Sequence, residues 1–470
     1  MQTAVKMKPV LVKFVKAEDV QADIQIGGRI QRLRRQRKVT QAGLAEVLGI
    51  SPSYLNLIEH NRRRITVPLL FKAAGYFGVE PGELAESDEP RLAGDLMELF
   101  GDDLFADCDL TNQDIRDLAS TNPAIGRAVV RLFDRYRSVV ASGGRAVAGD
   151  ESGPVVTEAV SDFLQGRSNH FPTLEDAAAR MRHDIDRASD SLEHGIRTYL
   201  NNAFGHQWRS AALAGARAWQ HDEERGEFLT ADTLPVETEV FAVAQHLATL
   251  GAGPEIEAIL KAGGLPAEVE AVTRVALAAY VAGALVMPYG PFLAACRETR
   301  YDVERIGRRF KASFEQVCHR MTTLQRPGQS GIPLHLVRTD IAGNISKRFS
   351  LSGIHIPRHS GACPRWNVYG AFLHPERINV QLSQMPDGQR FLCIARALAK
   401  GGYRHNEPRR HLSVGLGCHV AHATEMVYSD GVDLANPALT VPIGVGCRHC
   451  PRPDCAQRAH PAVAHRAEGT

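Results

Sequence analysis

Three cysteines fall within nine residues, Cys447, Cys450 and Cys455, spaced C-x2-C-x4-C in the run GCRHCPRPDCAQRAHP. Such spacing lets consecutive thiolates converge on one centre, while Gly446, Pro451 and Pro453 hold the loop open around it. Three thiolates leave a four-ligand site one short. Cys363 in GACPRWNVYG is the chosen fourth because it too lies in a Gly/Pro turn; Cys418 in GLGCHVAHA and Cys393 in FLCIAR compete with it. Four thiolates suit either structural zinc or an iron–sulfur cluster. His449, His460, His419 and His422 also offer nitrogen ligands, which would favour zinc, and spacing does not separate the two. The pair Cys418-His419 with His422 one turn later reads as helix surface.

A chain of 470 residues is too long for one hydrophobic core and predicts two to four domains. Apolar residues at 44% and charged residues at 23% are ordinary for a soluble protein, and 6% aromatics argue against a lectin-like β scaffold. No apolar run reaches the ~18 residues a membrane span needs. Residues 1–26, an N-terminal extension, are charged throughout and lack the core of a secretory signal. A cytoplasmic protein with no membrane partner is expected. Nine cysteines, seven of them after residue 300, do not form the framework of a secreted domain, and cytosolic thiols stay reduced and able to bind metal.

The net charge of +2 hides a segregation. From Gly27 to Lys72 there are ten Lys/Arg against two Asp/Glu; from Glu83 to Asp117 there are twelve Asp/Glu against two Lys/Arg. A compact basic segment before an acidic one suggests an anion-binding module.

The pattern inside the basic segment is more specific. Ile26, Ile30 and Leu33 recur at helical spacing among Arg29, Arg32, Arg34, Arg35 and Arg37. Thr40 caps a helix carrying Leu44, Ala45, Val47 and Leu48, which Gly49 closes; Ser51-Pro52 opens the next, with Tyr54, Leu55, Leu57 and Ile58. A further helix with Leu69, Leu70, Ala73, Ala74 and Phe77 ends at Gly78. Helix, glycine turn and helix with flanking helices is a helix-turn-helix over 27–86. The stretch TQAGLAEVLGISPSYLNLIEHNRRRITVPLLFKAAGYFGV resembles the lambda-repressor-like (xenobiotic-response-element type) family. By that resemblance Arg37 and Gln41 touch phosphate, Ser51, Ser53, Tyr54 and Asn56 face the major groove, and Asn61, Arg62 and Arg63 follow the backbone. Short polar side chains at a helix N-terminus reach base edges, and arginines set the register on phosphates.

Residues 92–140 read as helical, 141–154 as a linker rich in Gly, Ser and Ala, and 155–330 as a large Ala-rich helical region. No HExxH occurs in the chain. The nearest helix, His246-Leu247-Ala248-Thr249-Leu250, lacks both the carboxylate and the second imidazole that zinc peptidase chemistry requires, so His246 is expected to be a satisfied or surface histidine. The run Ala282 to Pro288 and the following RYDVERIGRRFKASFEQVCHRMTTLQRPG predict a packed helical pair with an Arg-rich exposed side. In wording this part resembles the tail of the ImmA/IrrE metallopeptidase-like domain in a form without its zinc motif.

From residue 331 the period changes to an α+β domain. A hairpin turns at Ala342-Gly343-Asn344, and short strands follow at Ile378–Leu382, Phe391–Ala395 and Leu412–Val414, in a sensor resembling the small-ligand GAF fold. The expected class is mainly α: an N-terminal helix-turn-helix bundle, a helical middle region and an α+β C-terminal sensor domain. Taken together, the helix-turn-helix, the degenerate ImmA/IrrE-like middle and the cysteine block resemble the short-chain fatty acyl-CoA transcriptional regulator family, from about Gly27 to about Pro461. That resemblance implies a non-enzymatic, dimeric regulator that reads double-stranded operator DNA, senses a short-chain acyl-CoA and controls propionyl-CoA, methylcitrate, glyoxylate or acetate genes. It also implies a [4Fe–4S] cluster on the cysteines, with zinc as the alternative. Arginines around Arg305 to Arg309 could meet the anionic CoA, although a solvated helix face explains them equally. Two other classes remain: an ImmA/IrrE-type peptidase cleaving a repressor, and a metal-stabilised adaptor that binds protein.

Overall fold

The computed structural model describes residues 27–37, 39–60, 62–63, 65–79, 89–105, 108, 110–141, 153–213, 217–358, 361–401, 405–447 and 450–459. The extension 1–26 and all but the ends of the expected linker 141–154 lie outside the described residues. The helices beside that linker end at Ala141 and begin at Gly153. The chain forms two compact units: one of 1–96 and 109–129, the other of 97–108 and 130–470.

In the first unit, α1 (Gly27–Gln36), α2 (Gln41–Leu48), α3 (Pro52–Glu59) and α4 (Val67–Phe77) close around Ile30, Leu44, Leu48, Leu55, Ile58 and Phe77. The expected caps form. Thr40 accepts from the Gly43 amide at 3.1 Å and Ser51 from the Tyr54 amide at 3.2 Å, and Gly49 adopts φ 72° between α2 and α3. Helix Asn112–Thr121 packs on α1 so tightly that a Cβ on Gly28 would lie 2.7 Å from Ser120. Val47 and Leu57, expected inside, lie on the exposed side.

The second unit is built on helix Ala267–Val286, with Leu277, Val281 and Leu285 fully buried. That helix is long and apolar enough to cross a membrane, unlike any run expected from the sequence, yet 61% of its most apolar window is buried within the protein. It is a core helix here, packed against helices Pro172–Ala188 and Val236–Gly251. The middle region is not wholly helical. Strands β1 (Gln207–Ala211), β2 (Trp219–Asp222) and β3 (Glu227–Ala231) form a sheet in the order β1-β3-β2, closed by turns at Gly205 and Gly226. These strands are only four or five residues long and carry polar residues such as Arg209, Ser210, Gln220 and His221, so their apolar periodicity is weak.

The C-terminal part is a six-stranded sheet: β4 (Leu334–Asp340), β5 (Ile345–Ser350), β6 (Asn379–Gln384), β7 (Arg390–Lys400), β8 (Arg410–His419) and β9 (Thr440–Pro442). The order is β5-β4-β8-β7-β6-β9, antiparallel except for β6 with β9. Period-two alternation separates its faces. Leu334, Leu336, Leu392, Ile394, Val414, Leu416 and Cys418 join the core of the helical region. Val337, Phe391, Cys393, Ala395 and Ala397 face a second layer holding Cys363, Trp366 and Val368. The boundary at 330 is thus a change of secondary structure and not a break in the core.

Candidate DNA-binding and cysteine sites

On α3, Ser53 and Asn56 are exposed and Tyr54 is half-buried. Leu55, Ile58 and Glu59 hold the opposite side inward. Glu59 orders the recognition surface: Arg34 meets its carboxylate in two bonds of 2.6 and 2.8 Å, and Gln41 donates to it at 3.0 Å. Gln41 also reaches Asn56 at 3.4 Å, linking the phosphate-side and base-side candidates. Ser51 spends its hydroxyl oxygen on the α3 cap. Arg37 donates at 2.5 and 2.6 Å to the Tyr76 and Phe77 carbonyls, which ties the end of α1 to α4. Arg62 and Arg63 are exposed, with the Arg63 guanidinium 4.9 Å above the Tyr54 ring. Asn61 lies outside the described residues.

At the other end of the chain, Cys363 and Cys450 are buried, and Cys447 and Cys455 are half-buried. Burial pushes the Cys363 thiol up, the Gly444 and Arg365 amides that donate to its sulfur pull it back, and the thiols of Cys447 and Cys450 push it up again. Gly444 makes the approach possible, since a Cβ there would sit 2.8 Å from the Cys450 sulfur. Cys455 is held below its ordinary value, chiefly by the Gln457 amide and also by the side chain and charge of Arg365 and the charge of Arg458. Arg458 clamps the loop through the carbonyls of Cys447 at 2.9 Å, Cys450 at 2.9 Å and Arg452 at 2.6 Å. Cys363 thus comes near enough to Cys447 and Cys450 to feel their charge, and Cys455 lies on the same loop as those two.

The competing cysteines are placed elsewhere. Cys418 is on the helix-facing side of the sheet, opposite Cys363, and burial raises its thiol. Cys393 shares the face of Cys363, but its sulfur lies 3.5 Å from His335 Nε2 within the sheet. His422 bonds Glu425 at 2.8 Å, and the His419 ring nitrogen caps the turn that follows β8. His449 and His460 lie outside the described residues.

Beside Cys363, a cleft of about 530 Å³ is lined by Arg365, Trp366, Asn367, Val380, Gln381 and Val432, among others. Arg365 therefore borders both the cleft and Cys455. The arginines expected to meet CoA, Arg305, Arg308 and Arg309, lie on the exposed side of helix Val303–Phe310, and Arg309 pairs with Glu298 at 2.8 Å.

One cluster escaped the sequence reading. His206, His221 and His246 bring one nitrogen each within 4.8 Å of one another. Burial, then the neighbouring His221 and His206, push the His246 imidazole down to about 4. Its partners lie 40 and 25 residues away in sequence, His206 just before β1 and His221 on β2, so no local motif announces them.

Three family profiles match the chain. Residues 30–84 match Helix-turn-helix, 210–322 match IrrE N-terminal-like domain, and 323–469 match Short-chain fatty acyl coenzyme A regulator, C-terminal. The HTH-type transcriptional regulator PrpR of Mycobacterium tuberculosis is 37% identical over 449 residues, 94% of this chain and 92% of the relative. RamB, an HTH-type transcriptional regulator of the same species, is 38% identical over 460 residues, 93% and 94% of the two chains. The Propionyl-CoA carboxylase regulator of Cereibacter sphaeroides is 36% identical over 460 residues, 94% and 95%. A solved Mycobacterium tuberculosis transcriptional regulator superposes with a TM-score of 0.63 at 40% identity, covering 67% of this chain and 96% of that one. These relatives are named as regulators and not as enzymes. Nearly full-length similarity at this level, together with the matching family profiles, makes this chain a DNA-binding transcriptional regulator of the short-chain fatty acyl-CoA regulator family.

Proposed function

We propose that this regulator binds operator DNA as a homodimer and that a short-chain acyl-CoA changes its operator affinity from the cleft beside Cys363. The genes under its control would be those of propionyl-CoA or acetate use, in line with the names of its relatives, and its place of action the cytoplasm, where the DNA is. Two copies of a basic module gain affinity by engaging two half-sites about one helical turn apart. Arg37, Gln41, Asn61, Arg62 and Arg63 serve the phosphates, and Ser51, Ser53, Tyr54 and Asn56 the base edges. Ser51 and Arg37 do so alongside the structural bonds described above.

The observation that carries the sensor assignment is Arg365, which lines the cleft and whose charge helps hold the Cys455 thiol below its ordinary value. A guanidinium at the cleft wall suits the phosphates of CoA, and Trp366 and Val380 supply apolar surface. Cys363, Cys447, Cys450 and Cys455 would hold a [4Fe–4S] cluster, which supplies a redox-dependent charge at the loop. The deciding experiment is a gel shift on the protein's own upstream region with and without propionyl-CoA or acetyl-CoA, run on anaerobically purified protein. Unchanged operator affinity with every short acyl-CoA would refute the sensor assignment.

A further inference from the structure

We infer that His206, His221 and His246 form a second metal site, for a divalent first-row transition ion such as zinc, separate from the cysteine loop. His206 Nδ1 and His246 Nε2 are 3.1 Å apart. A tetrahedral ion bonded to nitrogen at about 2.0–2.1 Å separates two such ligands by about 3.3 Å, so the pair already stands at ligand spacing. The third imidazole closes the group: the rings of His221 and His246 are 4.4 Å apart, and those of His206 and His221 are 5.1 Å apart.

A hydrogen bond between two imidazoles would account for the first distance alone. It does not account for His221. Its Nε2 is buried and has no hydrogen-bond partner, a cost that a nitrogen lone pair recovers by binding a metal. The group holds three histidines and no carboxylate. Three neutral nitrogens with an open fourth position is a ligand set that zinc and its neighbours accept.

The framework holds these rings firmly. Gly205 at φ 69° ends helix Leu192–Phe204 and turns His206 toward the sheet. His221 lies on β2 directly opposite Phe228 of β3. The Phe228 ring stacks on His246 at 4.5 Å with an interplanar angle of 17°, and Trp219 stacks on Phe228 from beyond. A bound ion would join helix Val236–Gly251 to the small sheet at three points. None of the three ligands belongs to an HExxH pair, and none is near the cysteine loop in sequence.

Cobalt(II) titration of the full chain tests this site and keeps it distinct from the thiolates. Cobalt held by cysteine shows sulfur-to-metal charge transfer in the near ultraviolet, and cobalt held by three imidazoles shows ligand-field bands without it. Wild type should bind one equivalent with the nitrogen-only signature and gain thermal stability. His221→Gln and His246→Gln should bind that equivalent at least tenfold more weakly, while Cys447→Ala should leave it unchanged. Circular dichroism verifies that the histidine variants are folded. Absence of a nitrogen-only equivalent in wild type overturns the site whatever the variants do. Its undiminished presence in folded His221→Gln and His246→Gln overturns it equally.

Discussion

Arg320 and Glu175, 145 residues apart in the chain, meet in two bonds of 2.6 and 2.9 Å with side chains only 1% and 2% exposed. Tyr280 donates to the same carboxylate at 2.7 Å, and Arg320 also donates to the Met287 carbonyl at 2.9 Å. This joins helices Pro172–Ala188, Ala267–Val286 and Phe314–Met321. Glu175→Gln leaves a buried guanidinium without its counter-charge and should destabilise the protein by about 3–5 kcal/mol, measured by denaturant unfolding. A loss under 1 kcal/mol would show that the pair is structurally idle.

The same pair sets an acid limit. Burial alone would raise the Glu175 carboxyl, but the charge and hydrogen bonds of Arg320 outweigh it and hold the group below its ordinary 4.5. A depressed carboxyl contributes stability that is complete above its unfolded value near 4.5 and is lost as pH falls through the folded one. Melting temperature should therefore drop below about pH 4.5, and Glu175→Gln should flatten that drop. Parallel pH profiles in the two proteins would assign the acid limit to other groups.

For DNA, Arg62→Ala combined with Arg63→Ala should weaken binding to all sequences alike. Each phosphate contact removed should lower the salt slope of log K by about 1. Asn56→Ala and Ser53→Ala should instead change the preferred sequence, read by selection from a random oligonucleotide pool. An unchanged slope in the arginine variant would place these side chains outside the interface.

At the cysteine loop, Gly444→Ala puts a methyl group 2.8 Å from the Cys450 sulfur. Anaerobically purified protein should be brown with about four irons per chain, and Gly444→Ala or Cys363→Ala should lose most of that iron. A colourless wild type with one zinc would retain the ligands and remove the redox role. Full metal in Cys363→Ala would return the fourth position to Cys393, which shares its face of the sheet.

Arg365→Ala should weaken acyl-CoA binding at least tenfold by calorimetry while leaving operator binding without ligand intact. Unaltered acyl-CoA affinity would move the effector away from this cleft.

Much of this was legible in advance. The caps at Thr40 and Ser51 and the turn at Gly49 are local chemistry, decided within four residues, and they appear where the sequence places them. The β4–β5 hairpin and strands β6 to β8 follow from alternation, although β7 and β8 run further than their apolar centres indicate. Polar strands β1 to β3 escaped because their pairing, and not their own pattern, makes them strands. Val47 and Leu57 were misplaced because a short helix leaves one apolar residue per turn to be settled by its neighbours.

The sequence by itself determined the helix-turn-helix, the thiol-rich loop and the change from helix to strand near residue 331, because each is written in contiguous residues. Tertiary structure alone decided which distant groups meet. Cys418 and Cys363 look alike as cysteines in glycine-bearing runs, and only the sheet puts them on opposite faces. Glu175 finds Arg320, and His206 finds His221 and His246, because helices and strands far apart in sequence pack to bury apolar surface. That burial brings polar groups together at positions no local spacing encodes.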